Sequence, residues 1–388
     1  MNILLSYIAL FLLVFDLHIP PFRGFGSAPI SAVISIFYML IIDRSRLNYL
    51  SNIINQFKYL ILCYIFLLFY VFFRVMIDYA EEFSFVGSSL KATSILASSL
   101  IYISAFGANK KRLFEKILNI FFINAAICLY IGTYTEYQYI VDFFKVEAKD
   151  LIGGTPYRNA FLAGSGYFGI GAAYGLVFAF LLAYIYEHKE QSKIINYFKL
   201  TLILIAGVFA ARTVFLCAII TILYIIFFKR KFSILIYTVI FILFGLWLLE
   251  LEIFIPHKLW MLELFYNGTE TGSVHAILYG EHLKYPDNIV TIIFGDAHYS
   301  LPTGGYYMGT DIGYLRHWFF GGGVFVFSVF GILFFLYFHN RNQMFLYLII
   351  PVCILLHYKG VFIYNNPAGA PLLIIISHIL YNAKKDKI

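Results

Sequence analysis

Charged residues are scarce in this chain of 388 residues: Asp, Glu, Lys and Arg make up 13% of it, and hydrophobic residues make up 61%. Soluble domains usually contain about 25% charged residues, so this composition excludes an ordinary soluble domain. The apolar residues form repeated runs of roughly 20, the length that an α-helix needs to cross a bilayer. The composition therefore predicts an integral membrane protein surrounded by membrane lipids.

The formal net charge of +7 would suit a nucleic-acid-binding protein, but the distribution of that charge does not. Lys and Arg are concentrated in short segments between apolar runs, as the positive-inside rule describes for membrane proteins. We therefore expect no nucleic-acid partner.

Several motifs that carry chemistry are also missing. The four cysteines all lie inside apolar runs, without CxxC spacing, and are typical of small buried residues. The sequence contains no HExxH motif, no Walker motif, no dinucleotide-binding glycine pattern and no GxSxG. These absences argue against ATP-driven transport and serine hydrolysis, and the spacing of the histidines fits no zinc site. We expect neither a metal nor another cofactor.

The apolar runs predict an all-α polytopic bundle of about twelve spans, forming a single integral membrane domain over residues 1–388. The first run is interpreted as an uncleaved span, because no basic segment and no cleavage site accompany it. The predicted spans cover residues 1–17, 28–42, 58–77, 86–106, 113–132, 160–186, 196–211, 213–228, 232–250, 317–338, 344–359 and 369–382.

The basic residues orient these spans. If the C-terminal run 384–387 is cytoplasmic, the segments that contain Arg44, Lys110, Lys229 and Arg341 also face the cytoplasm, and so does the N-terminus. The apolar block 200–228 fits this order only as two short helices that meet near Arg212. We therefore expect Arg212 to lie at the tip of a hairpin, below the outer membrane surface.

The region 251–316 is the only long polar stretch, and it is predicted to be a large periplasmic loop between spans nine and ten. Five of the ten histidines lie in it or directly after it: His257, His275, His282, His298 and His317. A chain this apolar is expected to keep such a region in water because the region has a function.

Five cations are predicted near the outer membrane surface: Arg74, Lys91, Arg158, Arg212 and Arg316. A cation near the membrane interior is costly, so it suggests a function, and a guanidinium suits a phosphate group. The alternative is that each is an interfacial anchor that contacts lipid phosphate.

Three further residues are candidate acid–base groups: Asp311, His317 and His298. The alternative for each of them is a solvated side chain in a loop.

Two short motifs resemble the O-antigen polymerases of the Wzy type and, more distantly, the O-antigen ligases. The run Ala211-Arg212-Thr213 resembles the family's small-Arg-Thr stretch at a periplasmic hairpin. The run Gly309-Thr310-Asp311-Ile312-Gly313-Tyr314-Leu315 resembles its Asp-x-Gly-Tyr-Leu motif. The layout of spans and loop is also similar over nearly the whole length. The ligases have a histidine near the Asp, and its absence at that position favours a polymerase.

The resemblance implies a membrane glycosyltransferase of the GT-C type in the bacterial inner membrane, with its site facing the periplasm. Such an enzyme transfers a growing glycan from undecaprenyl diphosphate to a second lipid-linked repeat unit. Arg212 would stabilise the diphosphate, assisted by Arg158 and Arg316, and Arg74 and Lys91 would contribute to binding it. Asp311 or a histidine would orient or deprotonate the acceptor hydroxyl. A Wzz-type chain-length regulator and a Wzx-type flippase are the implied partners.

Two other classes of protein stay open. A flippase for lipid-linked oligosaccharides would also have many spans and a cationic cavity, but its cations should lie near mid-membrane in pseudo-symmetric halves. A non-catalytic partner in an export complex would not need cations in several outer loops.

Overall fold

The computed structural model of this chain describes residues 2–19, 24–77, 83–145, 156–188, 191, 193–254, 258, 263, 266, 283–301 and 305–381. It is 80% helical, and the only β-pairing within those residues is one bridge between Ser300 and Tyr306. In this part of the chain, five helices are long and apolar enough to cross a membrane, and seven apolar helices are shorter. The all-α fold fits a membrane-embedded protein, and the number of spans stays a prediction.

The helices follow the apolar runs of the sequence. In chain order they are α1 (Asn2–Phe15), α2 (Ala28–Phe37), α3 (Ser45–Gln56), α4 (Lys58–Ile77), α5 (Phe83–Phe106), α6 (Lys110–Thr133), α7 (Gln138–Asp142), α8 (Tyr167–Glu187), α9 (Ile194–Ala210), α10 (Thr213–Lys229), α11 (Ile234–Leu249), α12 (Ile289–Phe294), α13 (Gly313–Asn340), α14 (Ile350–Lys359) and α15 (Gly369–Leu380). Short π-helical turns extend α2 through Tyr38–Ile42 and precede α14 at Phe345–Ile349.

Helix α8 lies at the centre of the bundle, and its side chains are buried from Ile170 to Ile185. Two of its glycines let neighbouring helices approach closely. A Cβ atom at Gly171 would collide with Ala211, and one at Gly175 would lie 2.9 Å from the Sγ atom of Cys217. Small residues serve this purpose at helix contacts in membranes.

The apolar block 200–228 is divided into α9 and α10, as its sequence predicts. Ala211 is extended, with a φ of −154° and a ψ of 128°, so α9 ends there. Arg212 follows as the residue that caps the start of α10. The break therefore lies at the residue pair that interrupts the apolar run.

Several elements differ from the sequence prediction in where they begin or in whether a helix forms. Helix α8 begins at Tyr167 and not at residue 160, because Gly164 donates its backbone N–H to the carbonyl of Phe15 (2.9 Å) instead of entering a helix. Helix α13 begins at Gly313 and not at residue 317, so Arg316 belongs to a helix and not to the polar loop. Helix α3 occupies a segment that was predicted to be a loop.

The helices bring two separate sets of residues to the two ends of the bundle. At the end that we call the polar-loop end, Arg74 at the end of α4 donates to the carbonyl of Gly295 (2.9 Å), and Phe85 at the start of α5 stacks on Tyr299.

At the opposite end, Lys229 pairs with Glu187 at 2.6 Å, and His378 lies 3.1 Å from the carbonyl oxygen of Gly107. Helices α4 and α5 therefore run in opposite directions, and α8 and α10 end at the same end of the bundle. Which compartment each end faces stays a prediction.

Helix α13 is broken at Gly322, which has a φ of +64°. The break frees two carbonyl groups from helical hydrogen bonding. Asp296 and Ala297 donate their backbone N–H groups to them, at 2.5 Å to Phe319 and 3.0 Å to Phe320. The last part of the polar loop is therefore attached to the first part of α13 through the backbone.

Candidate functional site

A cavity of about 560 Å³ opens at the polar-loop end. It lies between the start of α8, the start of α13, the end of α14 and the loop residues Tyr299, Tyr306 and Asp311. Its charged lining residues are Arg158, Asp311, Arg316 and Lys359. Three of the charged residues predicted from the sequence to form a site therefore meet in one cavity, and Lys359 joins them.

Arg158 is positioned by a 3₁₀ turn, Pro156–Asn159, that is fixed by hydrogen bonds from two sides. The amide of Gln138 donates to the Asn159 carbonyl (2.9 Å), and the Lys145 ammonium donates to the Asn159 side chain (2.8 Å). The guanidinium of Arg158 lies 4.8 Å from the ring centroid of Tyr167, at the start of α8. Such cation–π contacts stabilise an arginine in a chosen orientation.

Burial is the main cause that lowers the pKa of Arg158. Tyr167 offsets part of this effect, and the positive charge of nearby Arg212 adds to it. Arginine nevertheless stays charged, because its ordinary pKa lies far above neutral pH. The lowered pKa shows that burial disfavours the charged form of Arg158, and a bound anion would stabilise that form.

Arg316 lies in the first turn of α13 and is held between aromatic rings. Its guanidinium is 4.3 Å from the ring centroid of Tyr299 and 3.6 Å from that of Tyr306. Both tyrosines line the cavity. The start of α13 thus places Arg316 in the cavity, and Tyr299 and Tyr306 of the polar loop contact its guanidinium.

Lys359 is a site residue that the sequence interpretation missed. It is the last residue of α14, and the close approach of α13 to α14 brings it into the same cavity as Arg316. Gly313 permits this approach, since a Cβ atom there would collide with the carbonyl oxygen of His357 and lie 2.6 Å from that of Gly360. The signal that could have found Lys359 is the one used for the arginines: a cation at the outer end of an apolar run.

The charge of the cavity lining is positive. Arg158, Arg316 and Lys359 contribute three positive charges and Asp311 one negative charge, so the balance is +2. Two guanidinium groups and one ammonium group can bind several oxygen atoms of a phosphate or diphosphate, with charge-assisted hydrogen bonds. Asp311 is the only carboxylate among the lining residues and could accept a proton there.

Arg212 does not line this cavity, although its charge acts on Arg158. It forms an ion pair with Glu263 at 2.8 Å. The carboxylate therefore neutralises part of the charge that the sequence interpretation assigned to a diphosphate. Arg212 lies next to the cavity and in electrostatic contact with it.

Arg74 and Lys91 also have other partners. Arg74 donates to the Gly295 carbonyl. Lys91 pairs with Asp16 at 2.6 Å, and the Asp16 side chain is completely buried. Both cations lie at the polar-loop end, as the sequence predicts, but neither lines the cavity.

The two described histidines of the polar stretch are separated. His298 is exposed and lies beside the ring of Tyr307. His317 is fully buried in α13, with its ring centroid 5.0 Å from that of His357. Neither lines the cavity. His257, His275 and His282 lie outside the described residues.

No protein-family model, curated protein or solved structure matches this chain. The site must therefore be interpreted from its own chemistry. Within the described ranges, no group of three or more His, Cys, Asp or Glu residues could hold a metal ion. What the cavity presents is a cationic surface with one carboxylate and several tyrosine rings.

Proposed function

We propose that this chain is an O-antigen polymerase of the Wzy type, a membrane glycosyltransferase that uses undecaprenyl-diphosphate-linked glycans as donor and acceptor. The observation that carries the proposal is the meeting of Arg158, Arg316, Lys359 and Asp311 in one cavity. A lipid diphosphate presents the negative charge that this lining favours. The cavity lies at an end of the bundle, where a lipid-linked substrate held in the membrane can reach it.

The reaction breaks the bond between the anomeric carbon of the donor glycan and its diphosphate oxygen. A bond forms between that carbon and a hydroxyl oxygen at the non-reducing end of the acceptor. Negative charge grows on the departing diphosphate, and Arg158, Arg316 and Lys359 stabilise it in place of a metal ion. Asp311 accepts the proton of the acceptor hydroxyl, so the products are a longer lipid-linked glycan and undecaprenyl diphosphate.

The tyrosines give the cavity a second property. Tyr167, Tyr299 and Tyr306 provide flat apolar faces and hydroxyl groups beside the cations. Such surfaces suit sugar rings, which have both apolar faces and hydroxyl groups. In this proposal the cations bind the diphosphate, and the tyrosines contact the sugar next to it.

The proposal places the protein in the bacterial inner membrane, with both termini in the cytoplasm and the cavity facing the periplasm. A Wzx-type flippase would supply its substrate, and a Wzz-type partner would regulate chain length. We expect no cofactor, and therefore expect chelation of divalent metal ions to leave polymerisation intact.

Gene deletion and reconstitution test the proposal. Loss of a polymerase should leave single repeat units attached to the lipid A core, because one unit can still be flipped and ligated. Loss of a flippase or a ligase should leave none. Purified protein should also convert lipid-linked repeat units into a ladder of products. A deletion strain without single units, or a purified protein without a ladder, would contradict the proposal.

A further inference from the structure

A second cavity, of about 520 Å³, opens at the opposite end of the bundle. It lies between the start of α1, the end of α5, the start of α6 and the first turn of α3. Its charged lining residues are Arg46, Arg112, Glu115 and Lys116. None of them takes part in the proposed reaction, which lies at the other end.

Two of these cations have no ion-pair partner among the described residues, although the Lys116 ammonium lies 5.5 Å from the ring centroid of Phe106. Arg46 forms an ion pair with Asp43 at 3.0 Å. Within the described part of the chain, neither Arg112 nor Lys116 has a carboxylate within ion-pair distance. They are four residues apart on α6, where like charges repel and destabilise the helix. The chain therefore keeps two repelling cations at one cavity, and an anion between them would remove the repulsion.

The floor of the cavity adds a hydrogen-bond donor. The Lys199 ammonium donates to the Asn119 side-chain oxygen (2.6 Å), and the Asn119 amide donates to the Tyr7 hydroxyl oxygen (2.8 Å). Tyr7 lines the cavity. Because its oxygen accepts this bond, its own proton is left to donate, and no acceptor for it is found among the described residues. An oxygen-rich anion in the cavity would accept it.

The surroundings of the cavity are apolar. Ile3 lines it and is 69% exposed, and Leu4 and Ile8 on the same helix are also exposed. Lys116 lies nearly two turns inside α6, which is long and apolar enough to cross a membrane. The cations are thus placed where phosphate groups meet acyl chains, and a soluble phosphate compound would gain nothing from the apolar rim.

We propose that this cavity binds the headgroup of an anionic phospholipid, with Arg112 and Lys116 on the phosphate, Tyr7 donating to it and the acyl chains along α1. Basic pockets between transmembrane helices are a known means of binding anionic headgroups. The site is independent of the proposed glycosyltransferase activity.

Thermal unfolding of the purified full-length protein tests this site. The protein is compared in phosphatidylcholine nanodiscs and in nanodiscs that contain phosphatidylglycerol. We expect phosphatidylglycerol to raise the Tm of the unaltered chain, since a ligand that binds only the folded state stabilises it. The Arg112→Gln/Lys116→Gln double variant should lose most of that rise. Lys231→Gln, which removes an exposed cation at the same end but outside the cavity, should keep it.

The double variant provides a second readout that a merely structural role would not produce. In phosphatidylcholine alone it should be at least as stable as the unaltered chain, because the repulsion within α6 is gone. The order of the two Tm values should therefore reverse when phosphatidylglycerol is added. An equal rise in both proteins, or a variant that is less stable in both lipids, would overturn the proposal.

Inorganic phosphate separates the two sources of the anion. Added to phosphatidylcholine nanodiscs, it should shift the Tm much less than phosphatidylglycerol does. An equal shift would overturn the assignment to a lipid and identify a site for soluble phosphate. Native mass spectrometry should show retained phosphatidylglycerol on the unaltered chain and several-fold less on the double variant.

Discussion

The two arginines of the candidate site rest on tyrosine rings. Arg158 is held by Tyr167, and Arg316 by Tyr299 and Tyr306. A planar guanidinium can stack on a ring and still present N–H groups at its edge, whereas an ammonium on a flexible chain cannot do both. The identity of the cation should therefore matter here as much as its charge.

We predict that Arg158→Lys and Arg316→Lys each slow ladder formation by about 10²-fold, the usual cost of losing one oriented contact to a developing oxyanion. The rate is measured with purified protein and lipid-linked repeat units. Arg341→Lys is the matched control, because Arg341 is exposed at the opposite end of the bundle. Its rate should be unchanged.

The variant Arg212→Lys tests whether Arg212 contributes less to the reaction rate than Arg158 and Arg316 do. Lysine keeps the charge that pairs with Glu263 and acts on Arg158, and the two side chains of this pair are 25% and 30% exposed. Ion pairs that water reaches contribute about 1 kcal/mol or less. We therefore expect a smaller loss than at Arg158 or Arg316. A severe loss in Arg212→Lys together with an active Arg158→Lys would move the centre of the site to Arg212, as the sequence motif suggests.

The ion pair between Lys91 and Asp16 has a structural role. Asp16 is completely buried, and the Lys91 side chain is 19% exposed. We predict that Asp16→Ala destabilises the protein by about 3–5 kcal/mol, because it leaves a desolvated cation without its partner. The double variant Asp16→Ala/Lys91→Met should recover part of that stability. Unfolding in detergent measures both, and a double variant as unstable as the single one would contradict this role.

At the scale of elements, the break in α13 depends on one residue. A Cβ atom at Gly322 would collide with the Ile293 carbonyl oxygen, and the φ of +64° is unfavourable for alanine. We predict that Gly322→Ala destabilises the fold by about 2 kcal/mol or more. Gly323→Ala is the adjacent control, because the nearest atom to its Cβ would be 3.4 Å away.

The two glycine variants are compared by thermal unfolding and by the rate of ladder formation. Gly322→Ala should lower both, because α12 and the start of α13 are joined at this break. A Gly322→Ala protein as stable as Gly323→Ala would show that the break is not required.

Helices and their breaks differ in how far a sequence can predict them. Each predicted span contains a helix, because a run of apolar residues determines what can be buried in lipid or in the bundle. The run Gly321-Gly322-Gly323 permits the break, but the hydrogen bonds that complete it come from residues 296 and 297, which the local pattern does not indicate. The same limit applies to the candidate site, because contacts between distant segments bring its residues together. Arg158 and Arg316 stand out as cations beside apolar runs, but only the contact between α13 and α14 places Lys359 with them.

At the scale of the whole molecule, the two cavities lie at opposite ends of one helical bundle. One collects Arg158, Arg316 and Lys359, and the other collects Arg112 and Lys116. If the positive-inside rule orients the chain, the first faces the periplasm and the second the cytoplasm. The protein would then bind lipid phosphate groups of both leaflets, at a different site for each leaflet.

Cysteine labelling tests this orientation. The four native cysteines are all buried, so an impermeant thiol reagent should leave the unaltered protein unlabelled. We predict that a cysteine in place of exposed Glu136 is labelled in intact spheroplasts, and that one in place of exposed Lys231 is labelled only after the membrane is opened. Labelling of both in intact spheroplasts would contradict alternating helices with the predicted orientation.

The break in α13 also sets an order of assembly during synthesis. Residues 289–297 leave the ribosome before residues 313–340, so the donors that complete the break exist before the helix that needs them. Until they are in place, the carbonyl groups of Phe319 and Phe320 lack their N–H donors, a costly condition in a lipid environment. Arg316 lies on the first part of that helix and reaches its tyrosines only when the two segments have joined. The cavity is therefore completed late in the biogenesis of the protein, after α14 has been made, because Lys359 at the end of that helix lines it.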